Sequence, residues 1–121
     1  MFPEELEEEF RWLDAQEALR DFQSFLAADV PVLRIQRQTD VLDWQKLQGV
    51  YLNYGERDRL LYVGMTLDCF LNRKRNHDKS FETHFLDLIV FPKKVLFLAP
   101  ALEVFLRQWL RPILDAGGKH V

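Results

Sequence analysis

Apolar positions between residues 4 and 27 recur at near-helical spacing: Leu6, Phe10, Leu13, Leu19, Phe22 and Leu26, with glutamate and arginine between them. That rhythm predicts an amphipathic helix. Pro3 suits its first turn, and Asp29-Val30-Pro31 marks its end, because a residue before proline avoids the α region. VPVLRI (30–35) then reads as a short strand or an extended connector, and DVLDWQKLQ (40–48) as one or two helical turns opened by Thr39 or Asp40. In GVYLNYGERDRLLYVGMT (49–66) two apolar-aromatic runs flank a polar centre, with Gly55 placed to ease a reversal. This predicts a β-hairpin. From Asp68 to about Lys79 the period turns helical again, with Asp68 as N-cap and Phe70, Leu71 and Lys74 facing inward. HFLDLIVF (84–91) is an almost continuous apolar run, which predicts a central strand. VLFLA (95–99) fits either a strand or the buried start of a helix. After Pro100, ALEVFLRQWLR predicts a helix with Leu102, Phe105, Leu106, Trp109 and Leu110 on a broad apolar face, ended or bent by Pro112.

Helix, hairpin, helix, strand and helix in that order predict an α/β (α+β) domain. Its expected form is a small three-stranded antiparallel or mixed sheet flanked by helices, with an extra N-terminal helix. The expected organisation is an acidic helix over 1–29 and one globular unit over 30–121. At 121 residues the chain has enough sequence for a single sizeable core. No apolar run approaches the roughly 20 residues of a membrane span. The acidic start FPEELEEEF is unlike the basic-then-apolar pattern of a secretory signal. Cys69 is the single cysteine, which excludes an internal disulfide and a cysteine-rich zinc module. The expected location is intracellular, cytoplasmic in a prokaryote.

Net charge is −3, but it is unevenly spread. Residues 1–30 hold nine acidic and two basic side chains, whereas residues 31–121 hold ten acidic and fourteen basic ones. The second balance is +4, which permits phosphate binding by the C-terminal body.

The hairpin has mirrored punctuation: Gly49-Val50-Tyr51 opens it and Tyr62-Val63-Gly64 closes it. If it is symmetric about Glu56-Arg57, Tyr51 lies directly opposite Tyr62 on one face. The plain reading is an aromatic cross-strand pair worth ~0.2–1 kcal/mol. Two tripeptides in this arrangement, followed by Thr66, by Arg73-x-x-x-His77, and by a later Leu-Glu helix ending in proline (Glu103, Pro112), resemble the GIY-YIG nuclease family over about residues 47–115. Asp115 stands where the family usually has asparagine.

The resemblance implies a metal-dependent DNA endonuclease that hydrolyses one strand per active site. It implies catalytic roles for Tyr51, Tyr62, Arg73, His77 and Glu103, with Glu103 as ligand of a divalent ion, Mg²⁺ or Mn²⁺. Magnesium accepts a single carboxylate when water and phosphate oxygens complete its shell. Arg73 would give a planar, permanent charge to a phosphate oxygen. Tyr51 is the candidate for orienting or deprotonating water, which at its ordinary pKa of about 10 requires a nearby cation or base. His77, four residues after Arg73 and so on the same helical face, is the candidate base or phosphate contact. Tyr62 would position its neighbours. Arg73, Lys74, Arg75, Lys79, Lys93 and Lys94 would meet the DNA backbone.

Each residue also has a plain reading. The Arg73-Lys74-Arg75 run suits a solvated helix face, His77 a cap or packing role, and Glu103 an i,i+4 pair with Arg107. His77, His84 and His120 lack metal-ligand spacing, and no glycine-rich phosphate loop, nucleophile elbow or Cys-His pair is visible. The alternative from a different class is a catalytically silent module of the same shape that binds nucleic acid or a protein. The acidic N-terminal helix is then the candidate partner surface.

Overall fold

The expected hairpin forms, and the sheet is built around it. The computed structural model describes residues 3–55, 59–72 and 85–112, with side chains over 14–55, 59–72 and 86–112. Helix α1 spans Pro3–Ser24, followed by strands β1 (Ile35–Arg37), β2 (Gly49–Tyr54), β3 (Leu60–Thr66) and β4 (Phe85–Val90), and by helix α2 (Ala99–Leu110). Strand order is β1-β4-β2-β3, and every pairing is antiparallel. The expectation of three strands therefore needs one more. The extra strand overlaps the ambiguous 30–35 segment at Ile35 alone, runs on to Arg37, and pairs Ile35 with Ile89 and Arg37 with Asp87. A three-residue edge strand with two exposed polar positions carries almost no alternation, so its signal in the sequence is weak. The expected central placement of the 84–91 run holds, because β4 lies between β1 and β2.

Within 40–48 one short 3₁₀ turn forms, Trp44–Lys46, and another, Gln38–Asp40, ends where the segment begins. VLFLA resolves in favour of helix: Lys93–Leu98 is a 3₁₀ turn that runs directly into α2. Pro100 sits in the first turn of α2, where its missing N–H has no carbonyl to lose. Arg111, left-handed at φ 49°, ends the helix just before Pro112. The helical opening after β3 is described only over residues 70–72.

The two faces of the sheet are unequal. Val50, Leu52, Tyr54, Val63 and Ile89 point to the side covered by both helices, where Ala15, Ala18, Leu19, Phe22, Leu102 and Leu106 complete the main core. Leu102 and Leu106 are fully buried. Removing each from water contributes about 1.5–3 kcal/mol. Phe22 of α1 meets Phe105 of α2 with ring centroids 5.6 Å apart. Leu19 and Phe22 are buried as expected and Leu26 packs at the rim. The side chains of Leu6, Phe10 and Leu13 lie outside those described. Trp109 departs from its expected inward place: it is 42% exposed and tilts against Phe105. The opposite face holds a smaller cluster of Tyr51, Tyr62, Phe70, Leu86 and Leu88. No described helix is long and apolar enough to cross a membrane.

Candidate functional site

The two glycines of the mirrored tripeptides have separate physical causes. Gly49 has φ +143°, and a Cβ there would collide with the Ile89 carbonyl and lie 3.0 Å from the Phe91 ring. It lets β2 approach β4 closely just before the hydrogen bonds between Gln48 and Phe91, from Gln48 Nε2 to the Phe91 carbonyl at 2.6 Å and from the Phe91 N–H to the Gln48 carbonyl at 3.0 Å. Gly64 is bare for another reason. A Cβ on it would collide with Tyr51 Oη and Cζ and come within 2.6 Å of Tyr62 Cε1. The phenol of Tyr51 therefore lies across the strand at Gly64.

This follows from the register. Tyr51 pairs with Gly64 and Tyr62 with Asn53, so the expected direct opposition of Tyr51 and Tyr62 is wrong by two residues. An irregularity between Asn53 and Tyr54 accounts for one of those two residues, and the other is already present at the Tyr54–Leu60 pair. A slip of two preserves the face, and the tyrosines meet as diagonal neighbours with ring centroids 6.1 Å apart. Phe70 closes the other side of Tyr51 edge-on at 6.3 Å. Phe70 is itself pinned by its N–H to the Leu47 carbonyl at 2.8 Å. Thr66 turns the chain out of β3, its hydroxyl accepting from the Asp68 N–H at 3.1 Å. The Asp68 carboxylate, expected as a cap, takes the side-chain amide of Asn72 at 2.8 Å.

From the helix side, α2 sends Arg107, paired with Glu103, to the edge strand β3. Arg107 Nε donates to Glu103 Oε1 at 3.1 Å, a second guanidinium nitrogen donates to the Val63 carbonyl, and the guanidinium carbon stands 4.7 Å from the centre of the Tyr62 ring. Tyr62 belongs to the face away from α2, so Arg107 reaches round the edge of β3. The two charged side chains are only 15% and 20% exposed. An open i,i+4 pair is worth ~0.3–0.5 kcal/mol; partial shielding and the extra acceptor place this one nearer ~1 kcal/mol.

Of the five expected catalytic residues, Tyr51 and Tyr62 meet on the face of the sheet away from α2, and Glu103 lies on α2, linked to Tyr62 only by way of Arg107. Arg73, Lys74, Arg75, His77, Lys79 and Asp115 lie outside the described residues. Lys93 and Lys94 are exposed where β4 leaves the sheet, the end shared with Gly49 and Thr66. Among the described residues no three His, Cys, Asp or Glu side chains converge. A hard cation with a water-rich shell requires only one or two carboxylates, so the chemistry of Glu103 fits the expected ion.

Arg37 and Asp87 form a second charged pair, at 3.2 Å, with Asp87 almost wholly buried on the helix-facing side of β4. They line a hollow of about 530 Å³ with Ile35, Gln36, Thr39 and Asp40, at the opposite edge of the sheet from Glu103. The aspartate inside the apolar run 84–91 was the sequence signal for this pair; Arg37 carried none. Compared with protein families, characterised proteins and solved structures, the chain matches none of them.

Proposed function

We propose that this protein is a metal-dependent endonuclease that hydrolyses DNA phosphodiester bonds, one strand per active site. The observation that carries the reading is the meeting of Glu103 with the tyrosine hairpin through Arg107, although Val63 and Arg107 stand 44 residues apart. Strand hydrolysis requires an oriented water, positive charge at the phosphoryl oxygens and help for the departing 3′ oxygen. Arg107 supplies fixed positive charge beside the aromatic pair, and its fork suits a phosphate oxygen. Tyr51 offers a hydroxyl above Gly64 for aligning water, held in place by Tyr62 and Phe70. Glu103 would hold Mg²⁺ or Mn²⁺, which when bound supplies Lewis-acid charge to the scissile group. Arg73, Lys74, Arg75, His77 and Lys79 lie outside the described residues and keep in this reading only the roles that the resemblance implies; Lys93 and Lys94 would contact the DNA backbone.

Conversion of supercoiled plasmid to the nicked form with Mg²⁺ or Mn²⁺ tests the reading. Glu103→Ala and Tyr51→Phe should each lower the nicking rate at least about tenfold. Wild-type protein that leaves plasmid intact with both metals, or undiminished nicking by Glu103→Ala, overturns it.

The engagement of Glu103 by Arg107 favours a second reading, a module of the same shape that binds nucleic acid or a protein without cutting, with acidic α1 as the partner surface. It predicts DNA retention that is independent of metal and no cleavage under any metal.

A further inference from the structure

Arg107 makes three contacts at once, and only one of them involves Glu103. The Val63 carbonyl and the Tyr62 ring are two further partners that hold the guanidinium at the edge of β3. Any divalent ion that approaches Glu103 therefore meets a permanent positive charge one hydrogen bond away, shielded from solvent that would otherwise screen it. Two cations compete for one carboxylate. A phosphodiester anion changes that balance, because a guanidinium fork donates to its oxygens as readily as to those of a carboxylate.

We infer that Arg107 couples the two ligands of the site. Without a phosphodiester it occupies Glu103 and weakens divalent-ion binding; a bound phosphodiester takes over the guanidinium and frees Glu103 for the ion. The inference rests on the nuclease reading for the nature of both ligands. Because coupling between two binding sites is reciprocal, the ion must also raise affinity for the phosphodiester by the same factor. No ion is admitted strongly to the empty site, which confines the loaded state to protein that already holds its substrate.

The test measures Mn²⁺ binding by calorimetry, with free Mn²⁺ followed in parallel by electron paramagnetic resonance. Wild type, Arg107→Gln, Arg107→Lys and Glu103→Gln are compared, each with and without saturating diethyl phosphate as an inert phosphodiester. Arg107→Gln alone should bind Mn²⁺ about fivefold more tightly than wild type, the factor set by losing a competing pair of ~1 kcal/mol. Diethyl phosphate should tighten Mn²⁺ binding to wild type by up to about that factor and leave Arg107→Gln unchanged. Arg107→Lys keeps the charge and should stay within about twofold of wild type, whereas damage to packing alone would shift both Arg107 variants alike. Equal Mn²⁺ affinity in wild type and Arg107→Gln, or equal tightening by diethyl phosphate in both, overturns the coupling. If that occurs while wild type nicks plasmid and Glu103→Gln does not, the nuclease reading stands without it. Mn²⁺ binding that ignores Glu103→Gln overturns both.

Discussion

Replacing Gly64 by alanine asks whether the glycine of Tyr62-Val63-Gly64 is there to leave room for a phenol. The added methyl would collide with Tyr51 Oη and Cζ and approach Tyr62 Cε1 to 2.6 Å. Tyr51 has no cheap escape: its ring is 5% exposed, with Tyr62 centred 6.1 Å away on one side and Phe70 edge-on at 6.3 Å on the other. Overfilling a packed site costs about 1–3 kcal/mol, and the collision here is with stiff ring atoms, which argues for the upper half of that range. Alanine in place of glycine within a strand returns about 0.5–1 kcal/mol of backbone entropy. The net loss is then ~1–2.5 kcal/mol, and the midpoint of thermal unfolding falls by about 4–10 °C for a chain of this size. Urea unfolding followed by tryptophan fluorescence reads the loss directly, since Trp44 packs against this same cluster. The cause is isolated by repeating Gly64→Ala in a Tyr51→Ala background, where its cost should drop by more than half. A neutral or stabilising Gly64→Ala, or a cost indifferent to Tyr51, would refute the reasoning.

Gly49→Ala should be worse, by ~2–3 kcal/mol or more, because its Cβ meets the Ile89 carbonyl at a positive φ and backbone cannot step aside; urea midpoints of the two glycine variants give the ranking. Arg37→Ala should cost about 1–2 kcal/mol by stripping a hydrogen bond from buried Asp87, less than a fully interior pair would because Arg37 is half exposed. Arg37→Lys should recover part of that loss in the same unfolding assay. Glu103→Gln should change stability by under ~1 kcal/mol, so any large loss of nicking in that variant cannot be laid to unfolding.

The hairpin, the central place of β4 and the helix after Pro100 were legible because each carries a period or a proline that admits one reading. The tyrosine register was not. Symmetry about Glu56-Arg57 assumes the position of the turn, and the ladder departs from it by two residues, one at the irregularity between Asn53 and Tyr54 and one nearer the turn. That error was survivable because the slip was even, so both phenols stayed on one face. The fourth strand went undecided because Gln36 and Arg37 are polar and exposed on a strand of three residues. At the candidate site, the spacing of Glu103 and Arg107 on one helix was visible, and their ion pair is present. What the spacing could not convey was the reach of that pair across the edge of β3 to Val63 and Tyr62, which depends on how α2 crosses the sheet.

The guanidinium on the Val63 carbonyl also bears on how copies of this protein treat one another. An outermost strand offers unpaired peptide groups to any extended chain that drifts alongside, and intermolecular zippering starts from such a template. Here a long cationic side chain from the neighbouring helix blocks one rung of that ladder. Loss of Arg107 would therefore expose a hydrogen-bond acceptor on a strand that includes Leu60, Leu61 and Val63, and self-association at high protein concentration would follow.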